Sequence, residues 1–152
     1  MREVAHHDGG KGEQVTEADV QRFVIEFLEL DGWRHLRTDP VSDRGRGKGF
    51  GELGMADSLF IRYGDPKRTS GLIFPLCYQA EAEVLWIEFK RPATKRKPAG
   101  KLTPWQLSWH EKERARGALT LRMGMDCEAT PEGFQEWYAQ SGLAQRVGAA
   151  KS

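Results

Sequence analysis

Few features of this chain invite a covalent or metal-knuckle scaffold. Its 152 residues hold only two cysteines, Cys77 and Cys127. They lie far apart with no paired spacing, which excludes a disulfide framework and a cysteine zinc site and leaves both reading as reduced and structural. No apolar run approaches the roughly 18 residues of a membrane helix, so no span is expected. The opening MREVAHHDGGKGEQ is polar and glycine-bearing and lacks the apolar stretch of a secretory signal. It reads as a disordered leader over residues 1–15, and the location expected is cytoplasmic. There is no G-K-[S/T] and hence no P-loop. The stretch from Gly49 to Gly54 spells G-x-G-x-x-G, but strand-like DSLFIRY follows it where a dinucleotide site needs a helix. His6, His7 and His35 show no metal-ligand spacing, and there is neither an internal repeat nor a low-complexity segment.

Bulk charge is also nearly absent, at +1 from 23 basic and 22 acidic residues. The distribution says more than the total. Lys90, Arg91, Lys95, Arg96, Lys97 and Lys101 fall in a stretch containing no acid, and Arg34, Arg37, Arg44, Arg46 and Lys48 form a second basic group. Such clusters are either the footprint of a phosphate backbone or a solvated loop, and charge alone leaves both readings open.

The length suits one compact domain, placed at residues 16–141 and followed by a flexible tail over 142–152. Within it, TEADVQRFVIEFLELDGW repeats Val20, Phe23, Val24, Phe27 and Leu28 at helical spacing, with Thr16 as cap and Gly32 as stop. Glu17 falls about 50° from the centre of that stripe and is expected at the core edge, while Glu26 and Glu29 point to water. Strands are predicted over Trp33–Thr38, Asp57–Tyr63, Leu72–Tyr78 and Glu83–Lys90. Thr103-Pro-Trp-Gln106 opens a capping-box helix running to about Arg116, then come a strand over Ala118–Met123 and a short helix from Thr130-Pro131. A mixed sheet flanked by helices is the natural packing of that order.

On the strand ending LWIEFKRP, alternation puts Val84, Trp86, Glu88 and Lys90 on one face and Leu85, Ile87 and Phe89 on the other. An antiparallel pairing with the strand that begins at Asp57 would bring Asp57 to Glu88. Carboxylates at strand ends can hold a hard divalent ion through oxygen, and a neighbouring lysine can position or deprotonate a bound water. The plainer readings stay open: a same-face ion pair for Glu88 and Lys90, a turn cap for Asp57, a helix-dipole acid for Glu17 and a capping-box glutamine for Gln106. His110 reads as solvated or partly packed, or as facing nucleic acid. Trp105 and Trp109 read as core contacts, or as stacking platforms for bases.

The ordered series resembles a known family. Gly54-Met-Ala-Asp57 followed by Glu88-Phe-Lys90 resembles the PD-(D/E)XK nuclease signature, with Ala56 where the family often has proline. Adding Glu17 and Gln21 in the first helix and the Thr-Pro-x-Gln helix start makes it similar to the virus-type replication-repair nuclease branch, over about residues 16 to 123. The resemblance implies an α/β restriction-endonuclease-like core (αβββαβ) and a Mg²⁺- or Mn²⁺-dependent endonuclease acting on DNA, in some members on Holliday junctions or flaps. It implies Asp57, Glu88 and the Phe89 carbonyl as metal ligands, Lys90 as the catalytic lysine, Glu17 as an aid to water or a second ion, and Gln106 as an orienting residue. Arg44, Arg46, Lys48, Arg91, Lys95, Arg96, Lys97 and Lys101 are then expected on the DNA-binding rim, and a two-fold branched substrate favours a homodimer. The alternative is a nuclease-like subunit that binds nucleic acid without cutting it.

Overall fold

A computed structural model of the chain describes residues 14–38, 51–64 and 82–144. The expected strand Leu72–Tyr78, Cys77, the basic residues Arg44, Arg46 and Lys48, and most of the expected leader and tail lie outside the described residues.

The elements run α1 (Glu17–Leu30), β1 (Arg34–Arg37), β2 (Ser58–Tyr63), β3 (Ala82–Glu88), α2 (Pro104–Ala115), β4 (Leu119–Arg122) and α3 (Pro131–Ser141). The four strands form one mixed sheet in the order β1-β2-β3-β4. β1, β2 and β3 are successively antiparallel, and β4 runs parallel to β3. The crossover that parallel pairing demands is supplied by α2. No helix among the described residues is long and apolar enough to cross a membrane.

Local sequence explains each element. The Thr16 hydroxyl accepts from the Asp19 amide at 3.2 Å and the Asp19 carboxylate accepts from the Thr16 amide at 3.0 Å, a reciprocal cap at the start of α1. The chain leaves α1 through Gly32 at φ +85°, a left-handed turn open to glycine without strain. Thr103 and Gln106 repeat the reciprocal cap at α2, and Thr130 caps α3.

The periodicity of α1 decides the core. Val20, Val24 and Leu28 are buried against Phe60, Leu85, Ile87 and Leu121 of the sheet and Phe134 and Tyr138 of α3. Phe27 meets Phe134 and Tyr138 edge-on at 5.6 and 5.5 Å between centroids, a favoured aromatic geometry. The opposite face carries Trp86, which meets Trp109 of α2 edge-on at 5.2 Å. Helices therefore cover both faces.

One polar knot sits inside this core. Arg62 is 6% exposed; its guanidinium donates to Asp31 at 2.9 Å, to Glu83 at 2.7 Å and to the Leu143 carbonyl at 2.5 Å. It also lies 4.4 Å from the Trp33 ring, whose indole donates to the Tyr138 hydroxyl at 2.8 Å. The chain thus stays packed past α3 through Leu143. Removing one member of a buried charge network strands the others, so Arg62→Ala is expected to lower the unfolding free energy by about 3 kcal/mol in urea titrations, with Arg62→Lys recovering only part of it.

Candidate active site

The register of β2 and β3 sets Ser58 opposite Ile87, so Asp57 and Glu88 face each other one step beyond that pair. Phe60 and Leu85 point to the α1/α3 side, which leaves Asp57 and Glu88 on the α2 side with Trp86. Asp57 immediately precedes β2, and Lys90 lies two residues past the end of β3, whereas both were expected inside strands. The turn carrying Asp57 is fixed from two directions. The Thr38 amide donates to the Asp57 carbonyl at 3.2 Å and the Thr38 hydroxyl to the Ala56 carbonyl. Gly54, at φ +81°, packs so closely under α2 that a Cβ there would lie 2.4 Å from the Trp105 carbonyl oxygen.

Glu88 is fully buried. Its Oε1 accepts from Lys90 Nζ at 2.5 Å and also from the Gln106 side-chain amide. Its Oε2 is buried and has no hydrogen-bond partner among the described residues. The Asp57 carboxylate accepts from the Phe89 amide at 3.0 Å. Burial, reinforced by the negative charge of Asp57, pushes the Glu88 carboxyl up to about 7 against the pull of Lys90. Burial also raises Asp57 above its ordinary value, opposed by the Phe89 amide and by Lys90. Glu17 is raised by partial desolvation, with Lys90 opposing and Asp57 adding to the shift.

Of the residues singled out in the sequence, Glu88, Lys90 and Gln106 are therefore joined through side-chain hydrogen bonds at one end of the sheet, and Asp57 is tied in through the Phe89 amide between Glu88 and Lys90. Gln106 meets both readings it was given. Its Oε1 accepts from the Thr103 amide at 2.9 Å as the capping partner, while its Nε2 reaches Glu88. Glu17 departs from expectation: it is exposed in the first turn of α1 rather than tucked at the core edge. Among the described residues, no group of three or more His, Cys, Asp or Glu side chains is clustered to hold a metal ion, so Glu17 does not close a third carboxylate onto Asp57 and Glu88.

Glu17 instead lines a groove of about 1110 Å³ between the start of α1 and the loop after Lys90, together with Arg91, Lys95, Arg96 and Lys97. The basic loop is ordered by its own contacts. The Gly100 amide donates to the Arg91 carbonyl at 2.8 Å, the Thr94 amide to the Lys97 carbonyl at 2.7 Å, and the Arg91 guanidinium to the Pro98 carbonyl at 2.8 Å. Lys101 is exposed but is not among the residues lining this groove.

Trp105 and His110 take places that differ from the sequence reading, whereas Trp109 is the core contact expected. Trp105 is 55% exposed, whereas Trp109 is buried with its indole donating to Glu52 at 2.9 Å. His110 is fully buried, and neither ring nitrogen has a hydrogen-bond partner among the described residues. Desolvation, with the nearby charges of Arg122 and Arg114, holds its pKa down at about 4 despite Asp126. Cys127 is free, and burial pushes its thiol up to about 12, which removes it as a nucleophile at neutral pH.

The donor set suits a hard divalent cation. The carboxylate of Asp57 acts electrostatically on that of Glu88, whose Oε2 has no partner among the described residues, and an unsatisfied buried carboxylate oxygen calls for a proton, a water or an ion.

Glu88 and His110 have opposite proton linkage. The folded state holds a proton on Glu88 between about 4.5 and 7, so that group removes stability as pH rises through this window. His110 stays neutral when folded while its unfolded form takes up a proton below 6.5, so that group removes stability as pH falls toward about 4. The two contributions offset in the metal-free protein. Glu88→Gln is expected to expose an acid-side loss and His110→Leu a loss on raising pH, each of about 3 kcal/mol, in chemical denaturation followed from pH 4 to 7.5.

No protein-family model, curated protein or solved structure matches this chain.

Proposed function

We propose that the chain is a divalent-metal-dependent endonuclease of DNA with a PD-(D/E)XK-type site of the virus-type replication-repair branch. The observation that carries this reading is the meeting of Asp57, Lys90 and Gln106, distant in sequence, at the buried Glu88 carboxylate, whose second oxygen has no hydrogen-bond partner among the described residues. Asp57, Glu88 and the Phe89 carbonyl would hold Mg²⁺ or Mn²⁺. When bound, the ion polarises a phosphate oxygen and lowers the pKa of a water. Lys90 then has two tasks: orienting the attacking water, and stabilising charge that develops on the phosphate. To do either, its ammonium must shift part of its interaction from Glu88 Oε1 to the reacting groups. Gln106 keeps that oxygen partnered and so holds the carboxylate in place. Glu17, at the groove wall and within the field of Lys90, orders water or a second ion. Arg91, Lys95, Arg96 and Lys97 supply phosphate contacts that position the strand without reading sequence. Lys101, with Arg44, Arg46 and Lys48, would extend this basic rim. Selection of branched DNA by shape and a cytoplasmic homodimer belong to the same reading.

A second reading takes the basic groove as the functional feature: a subunit that binds nucleic acid and does not cut it. Incubation with single strands, duplex, flap and four-way junction, each with Mg²⁺, Mn²⁺ or EDTA, separates the two. Endonuclease action predicts metal-dependent product that falls by about 10²-fold or more in Lys90→Ala and Asp57→Asn. Salt-sensitive binding with no product under any condition favours the binding subunit. Sedimentation at working concentration is expected to give a dimer, and full junction cleavage by a monomer would exclude that assembly.

A further inference from the structure

Lys90 carries the longest lever at the site and the least backbone support. It lies past the last residue of β3, and a free lysine side chain samples many rotamers at a cost of up to about 2 kcal/mol when fixed. Its side chain is nevertheless only 14% exposed. Two glycines from two different loops pack beside it. A Cβ placed on Gly100 would lie 3.4 Å from Lys90 Cβ, 3.5 Å from Lys90 Cδ and 3.1 Å from the Arg91 amide nitrogen. Gly100 is not among the positive-φ glycines, so its backbone conformation does not call for glycine; its close approach to the Arg91 amide, with the lysine stem in contact beside it, does. Gly124, at φ +85°, packs behind it, where a Cβ would lie 3.7 Å from Lys90 Cβ and 3.3 Å from the Gly100 carbonyl.

Both walls are held from behind. Gly100 is bonded to the Arg91 carbonyl, and the turn bearing Gly124 is closed by its amide to Cys127 at 2.8 Å. Asp126 braces that turn, accepting from Arg122 at 2.7 Å and Arg114 at 2.6 Å. Given the role proposed for Lys90, we infer that Gly100 and Gly124 are positioning residues that clamp the lysine stem and hold its ammonium in register with Glu88. A side chain at Gly100 presses on the Arg91 amide, the residue after Lys90, and one at Gly124 presses on the Gly100 carbonyl, so either shifts by a few tenths of an ångström the backbone on which the lysine stem rests, and the amine at the end of that stem moves further.

The test uses the full chain with two readouts, metal-saturated cleavage kinetics and the NMR order parameter of Lys90 Cε in the metal-free protein. Gly100→Ala is expected to lower kcat about tenfold with KM changed by less than about twofold, and to lower Lys90 Cε order. Gly124→Ala is expected to do the same. Gly117→Ala, at φ +94° with nothing within 4 Å of the added Cβ, carries comparable backbone strain and is expected to keep both values. Should Gly100→Ala fail to fold, the Gly124→Ala and Gly117→Ala pair carries the comparison. Wild-type kcat and Lys90 order in Gly100→Ala, or equal losses in Gly117→Ala and Gly124→Ala, would overturn the clamp. Absence of cleavage by the wild-type chain would reject the nuclease reading alone. Lys90 order would then decide the clamp, supporting it if lost in Gly100→Ala and refuting it if kept.

Discussion

The arrangement around Glu88 depends on how a carboxylate is kept out of water. Removing such a group from solvent costs several kcal/mol unless its oxygens find partners. Here Lys90 and Gln106 converge on one oxygen, Oε1, and the second oxygen has no partner among the described residues. That asymmetry has a structural origin. β3 ends at Glu88, the register with β2 brings Asp57 alongside, and the like charge of Asp57 raises the cost of ionising Glu88 further. The site is electrostatically unfinished, and the proposed divalent ion is the group that would complete it.

Much of the scaffold was legible because it rests on short-range rules. The recurrence of Val20, Val24 and Leu28 marks the buried side of α1, and the alternation through Leu85, Trp86, Ile87 and Glu88 assigns the two faces of β3. Capping pairs three residues apart locate the helix starts. What escaped were contacts that no local pattern encodes. Arg62 reads as an ordinary strand cation, and its partners Asp31 and Leu143 lie far from it along the chain. Burial of His110 depends on how α2 sits over the turn after β4, which periodicity within α2 does not reveal.

The candidate site shows the same division. The Glu-x-Lys spacing correctly put Glu88 and Lys90 on one side, and the strand-pairing argument brought Asp57 to them. The wheel argument for Glu17 misled, because an angle around the axis says nothing of position along it. Glu17 occupies the first turn of α1, outside the buried stretch that starts at Val20, so a direction near the apolar stripe still leads to solvent. Trp105 is exposed for a related reason. It sits in the first turn of α2, while Trp109, one turn later, is over the sheet.

Gln106 spends its carbonyl on closing the first turn of α2 and its amino group on Glu88. These are opposite ends of one rigid planar group. Fraying of that turn would therefore swing the amide away and leave Lys90 as the sole described partner of the shared oxygen. Local melting at a helix start, ordinarily silent, would here act as a loosening screw on the lysine's counter-ion. Polypeptide that docks against the beginning of α2 could thus tune the charged pair without ever touching it.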